Sequence, residues 1–162
     1  TSLEIGFLNA FPAVIGVIAM ILWARHSDRT RERSWHVIAA CLLAVAGLIY
    51  AGNVSTLFTV IVALTLVTAG ISASKPPLWS MPTVFLSGPA AAAGIATINS
   101  IGNLGGFVGP MMIGVIRQQT GSYTWGLYFV AGLLTISALI VLILSARAGK
   151  PQTAELPHPH TH

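Results

Sequence analysis

From Ile5 to Ala24 the chain runs twenty residues without a charge, and as a helix rising 1.5 Å per residue that run covers about 30 Å, the hydrocarbon thickness of a bilayer. Four similar stretches follow. Trp35 to Val54 is a second, ending in an uncharged turn at Ala51 to Thr56. Leu57 to Leu86 is a third, interrupted by Lys75, Pro76 and Pro77 and by Pro82. Neighbouring helices can satisfy the backbone groups that proline frees, so this run reads as one long, kinked helix. Ala91 to Ile116 is a fourth, rich in glycine, and Tyr123 to Ala146 a fifth. The pattern predicts an all-α membrane protein with five transmembrane helices over about 5–24, 35–54, 57–86, 91–116 and 123–146. Residues 147–162, with three prolines and few apolar side chains, read as a disordered tail.

Composition agrees. Hydrophobic residues make up 54% of the 162 and charged residues 7%, against about 25% charged in an ordinary soluble domain. The net charge of +4 does not indicate a nucleic-acid partner, because Arg25, Arg29, Arg31 and Arg33 supply half of the eight basic residues from one short segment between two apolar runs. Basic loops mark the cytoplasmic side of a membrane protein. The Arg25–Arg33 segment and the carboxyl-terminal tail, with Arg147 and Lys150, are therefore expected inside, and the 51–56 turn outside. Arg117 is the one basic residue on the wrong side. Trp23, Trp35, Tyr123 and Trp125 fall at span ends, where amphipathic rings favour the headgroup level.

Chemistry concentrates on two spans. Thr65, Thr68, Ser72, Lys75 and Trp79 are spaced 3, 4, 3 and 4, which aligns them on one helical face. Such a stripe is costly in hydrocarbon, so it faces either a watery cavity or a protein interior; alternatively the hydroxyls bond back to their own helix while Lys75 snorkels. Lys75, the only charged residue (Asp, Glu, Lys or Arg) within a span, suits an anionic substrate. On the fourth span Gly102, Gly106 and Gly109 form a smooth stripe for helix packing, and Asn99 and Asn103 lie beside it at spacing four. Ser72, Lys75, Trp79, Asn99 and Asn103 are the candidate substrate-binding residues. Cys41 has no cysteine partner, and the alternating His158, His160 and His162 lie in a tail too irregular to hold a metal. No metal site, cofactor site or paired catalytic groups are expected, and all four acidic residues lie at span ends, in the basic segment or in the tail.

The segment Ala24-Arg25-His26-Ser27-Asp28-Arg29-Thr30-Arg31-Glu32-Arg33 resembles the signature between the second and third helices of each half of the major facilitator superfamily, with Ala24 and Arg31 where glycines are usual. Residues 16–33, together with Pro76-Pro77-Leu78-Trp79 through Pro110, are similar to the anion:cation symporter family within it, whose members carry tartrate, phthalate and sugar acids. The resemblance implies helices eight to twelve of a twelve-helix transporter in the bacterial cytoplasmic membrane, with a small organic anion and a coupling proton as partners, acting by alternating access. It assigns Asp28, Arg29 and Arg33 to a charge network that steadies a gate, and Trp79 and Asn99 to the substrate cavity. Pro76 stands where that family often has a polar residue. The family's coupling carboxylates and main substrate arginine lie in an amino-terminal half, which becomes an expected partner. A membrane subunit with an assembly or regulatory role, without transport of its own, is the alternative.

Overall fold

The computed structural model describes residues 2–82 and 87–148; the predicted tail beyond 148 and the end of the third predicted span lie outside them. The described residues form five α-helices: α1 (Ser2–Thr30), α2 (Arg33–Ala51), α3 (Leu57–Ser80), α4 (Gly88–Thr120) and α5 (Thr124–Ala148). They lie side by side in the spatial order α1, α3, α2, α5, α4. The chain is a multi-pass membrane protein. Four helices are long and apolar enough to cross a bilayer, over Ala10–Thr30, Arg33–Ala51, Leu57–Ser80 and Thr124–Arg147. The fourth predicted span differs: α4 is 33 residues long, but Thr97, Asn99, Ser100 and Asn103 with seven glycines dilute its apolar surface.

The basic segment is not a loop. Helix α1 continues to Thr30, carrying Arg25, Asp28 and Arg29 on its last turns, and only Arg31 and Glu32 separate it from α2. Charges require water but not coil, and a 29-residue helix is about 43 Å long, more than the hydrocarbon needs. Arg31 makes the reversal with φ at 59°, its N–H donating to the Ser27 carbonyl at 2.9 Å, which is the left-handed cap of a helix end. Here the glycine usual at this position finds its physical reason, since a Cβ in that conformation costs about 1 kcal/mol. Arg31→Gly is expected to stabilise the fold by up to about 1 kcal/mol, read as a rise in the melting temperature of the detergent-solubilised protein.

The tightest packing joins α2 to α3. A Cβ added to Gly70 would stand 2.6 Å from the Ala44 nitrogen and 2.7 Å from the Ala40 carbonyl oxygen, and one on Gly47 would stand 2.8 Å from the Val67 nitrogen. The two backbones almost touch, as small residues permit in membranes. Gly16 brings α1 against Thr68 and Ser72 of α3, and Gly126 brings α5 against Ile113 of α4. The predicted packing stripe on α4 is placed otherwise: a Cβ on Gly102, Gly106 or Gly109 would meet nothing within 4 Å among the described residues. At the far end, Asn53 donates to the Tyr128 hydroxyl at 2.9 Å and ties the α2–α3 turn to α5. Arg117 lies 4.2 Å over the Tyr123 ring, so this basic residue away from the basic cluster is held by a cation–π contact.

Candidate functional site

Proline would ordinarily break α3 at 76 and 77, since each removes a backbone donor. The helix nevertheless runs to Ser80, with Pro77 fully buried. Continuity keeps Trp79 on the predicted stripe, but the stripe meets three different surroundings. Thr65 donates its hydroxyl to the Ile61 carbonyl at 2.7 Å, bonding back to its own helix. Thr68 and Ser72 face Gly16, Ser72 Oγ lying 3.1 Å from where a Cβ on that glycine would be. Lys75 and Trp79 stay exposed.

Trp79 borders a cavity of about 230 Å³ with Leu78, Met81, Ile98 and Leu144, where the end of α3, the start of α4 and the end of α5 converge. Its lining is almost wholly apolar. Ile98 places the neighbouring Asn99 near that cavity, though Asn99 is not among its lining residues and is itself exposed, as is Asn103. Helix α4 buries no residue at all; Ile101, Leu104 and Phe107 are more than 60% exposed. Within this chain, then, Lys75 and Trp79 stand exposed on α3 and Asn99 and Asn103 on α4, the two helices brought together where Trp79 and Ile98 border the same cavity, and Ser72 is set apart against α1. Amides and an ammonium left at membrane depth without partners are expensive, and Asn99, Asn103 and Lys75 make no side-chain hydrogen bond among the described residues.

The basic end of the bundle is held mainly by uncharged contacts that sequence reading missed. His36, 3% exposed, engages both ring nitrogens: Nδ1 donates to the Glu32 carbonyl at 2.6 Å, and Nε2 shares a hydrogen bond with His26 Nδ1 at 2.6 Å. The Trp23 indole donates to the His36 carbonyl at 2.9 Å and packs edge-on against its ring. The available signal was a histidine on each side of a short reversal. Of the three residues assigned to a gate network, Arg33 donates to the Ser80 carbonyl at 3.0 Å, placing a cation on the carbonyl end of α3; Asp28 and Arg29 are exposed and make no ion pair among the described residues. His36→Leu keeps the volume and loses both side-chain hydrogen bonds. It should cost about 1–3 kcal/mol, read as a lowered melting temperature.

The sequence model of the family described as Major Facilitator Superfamily matches residues 1–161. The chain belongs to that superfamily. Among superfamily relatives, a protein named "Putative tartrate transporter" from Agrobacterium vitis is 67% identical over 150 residues, covering 93% of this chain and 33% of that protein. The inner membrane transport protein RhmT of Escherichia coli K12 is 36% identical over 93% of this chain and 36% of its own length. A quinolone resistance transporter of Acinetobacter baumannii is 34% identical over 94% of this chain and 35% of its own length. The chain thus spans about a third of the length of these relatives. No solved structure matches it.

Proposed function

We propose that the whole protein is a secondary transporter of small organic anions, with hydroxy-dicarboxylates such as tartrate as the first substrate class to examine, and that this chain supplies part of one wall of its solute path. The observation that carries the reading is that Lys75 and Trp79 on α3 and Asn99 and Asn103 on α4 stand exposed in a membrane protein. Its high identity to a protein named for tartrate transport supports the substrate class. A cationic Lys75 would attract a carboxylate, Asn99 and Asn103 would donate amide hydrogens to hydroxyl and carboxylate oxygens, and Trp79 would supply a ring face or its N–H. Ser72, turned toward Gly16, joins such a site only if α1 and α3 part during the cycle.

Alternating access requires a second bundle for this one to rock against, and the smooth Gly102, Gly106 and Gly109 stripe suits close approach of its helices. The basic end, with Asp28, Arg29 and Arg33, is the cytoplasmic end in this reading, and the membrane is the bacterial inner membrane. Proton symport would supply the driving force. Uptake of labelled tartrate into cells expressing the full-length protein tests the proposal. Accumulation that collapses on adding a protonophore is expected, and uptake no greater than in cells lacking the protein would overturn it.

A further inference from the structure

A cleft of about 660 Å³ opens where the start of α2 meets the end of α5. Its lip, at the start of α2, carries Arg31, Glu32, Arg33 and Ser34; Trp35, Ile38, Leu142 and Ser145 complete the lining, the Ser145 hydroxyl being spent on the Leu142 carbonyl at 2.9 Å. We infer that this cleft binds an anionic phospholipid, its phosphodiester at the lip and the start of an acyl chain on the apolar floor.

The charges and donors fit that ligand. The Arg31 guanidinium and the Ser34 hydroxyl have no hydrogen-bond partner among the described residues. Arg33 commits one N–H to the Ser80 carbonyl, leaving the others of its five donors. Arg31 and Arg33 against Glu32 leave one net positive charge in the lining, which one phosphodiester neutralises. Arg31 moreover holds a backbone conformation that glycine would adopt without strain, and nothing in the described chain uses its side chain.

The remainder of the cleft separates a lipid from a soluble anion. Trp35 is 60% exposed beside the arginines, as an indole at headgroup level is. Ile38 lies one turn further along α2, and Leu142 faces it from α5. A free phosphate has no use for that floor, whereas a glycerophospholipid spans polar and apolar zones in the same order. Basic pockets between transmembrane helices commonly take acidic headgroups. None of these residues borders the cavity beside Trp79, so the inference does not depend on the transport reading.

The test uses the full-length protein, delipidated in detergent, as wild type, Arg31→Gly and Arg31→Lys. Dioleoylphosphatidylglycerol, dioleoylphosphatidylethanolamine or inorganic phosphate is titrated in, and melting temperature and bound lipid by native mass spectrometry are read. Phosphatidylglycerol should raise the melting temperature and remain bound to the wild type, with the other two probes giving little. Arg31→Gly, although better folded without lipid, should need about tenfold more phosphatidylglycerol for half the effect, as loss of one charge-assisted hydrogen bond implies, and Arg31→Lys should fall between. Equal phosphatidylglycerol dependence of wild type and Arg31→Gly would overturn the site. Phosphatidylethanolamine matching phosphatidylglycerol would overturn its anionic selectivity, and inorganic phosphate matching it would overturn the lipid.

Discussion

In the full-length protein, Gly70→Val is expected to remove most of the monodisperse material recovered from membranes, while Gly132→Val leaves it at the wild-type level. At Gly70 even a Cβ would sit 2.6 Å from a backbone nitrogen and 2.7 Å from a backbone oxygen of α2, and neither can move without carrying the helix with it. Valine adds two methyl groups to that collision. Overpacking typically costs about 1–3 kcal/mol and occasionally more; parting two backbones along the most extensive interface in the chain belongs at the upper end. Gly132, by contrast, would meet nothing within 4 Å. Size-exclusion profiles of a fluorescent fusion decide between them, and a wild-type profile for Gly70→Val would show that α2 and α3 do not approach this closely.

Trp79→Ala and Asn99→Ala should each lower tartrate uptake by at least about tenfold, the equivalent of one lost hydrogen bond of 1.4 kcal/mol, with abundance in the membrane unchanged. The second half of that statement follows from the structure: Asn99 makes no side-chain hydrogen bond among the described residues and α4 buries none of its residues, so truncation there leaves the bundle's packing intact. Trp79 touches an apolar cavity at its edge and stays 37% exposed. Initial rates normalised to membrane-inserted protein separate the two quantities. Unchanged rates for both variants would take Trp79 and Asn99 out of the solute path.

Much of the fold was legible because a bilayer leaves a chain few choices. Uninterrupted apolar runs such as 5–24 and 123–146 must be helical where no water can satisfy the backbone, and α1 and α5 cover both. Helix ends were less legible. Arg25, Asp28 and Arg29 announce water, but a helix in water looks the same in hydropathy as a loop in water, and the boundary fell at Arg31, where the backbone turns left-handed. Helix neighbours were hidden as well. Spacing identifies a small-residue face but not what it meets, so the stripe at Gly102, Gly106 and Gly109 stands open within this chain while Gly47 and Gly70, not singled out beforehand, make the closest approach.

The candidate site divides for a similar reason. Helical periodicity puts Thr65 through Trp79 on one stripe of a continuous α3, yet it cannot say that α1 covers Thr68 and Ser72 and leaves Lys75 and Trp79 open. The contact of His26 with His36, ten positions apart, depends on a sharp reversal at Arg31 that hydropathy does not encode. Burial around His36 explains why that end of the bundle is ordered by rings and a carbonyl rather than by the charges that surround it.

The central claim is that the exposed residues Trp79 on α3 and Asn99 on α4 line a water-filled path rather than meeting lipid. Thiol accessibility tests it most directly: Cys41, the one cysteine of these 162 residues, is only 7% exposed and lies within α2, and any cysteines in the rest of the full-length protein would first be replaced by serine. Asn99→Cys and Trp79→Cys in the full-length protein, with Ile136→Cys, at an exposed apolar position of α5, as the reference expected to meet lipid, would be reacted in intact membranes with a charged, membrane-impermeant maleimide. Reaction at 99 and 79, slowed by added tartrate, and none at 136 is the predicted result. Positions 99 and 79 as unreactive as 136 would place these residues against lipid and contradict the account.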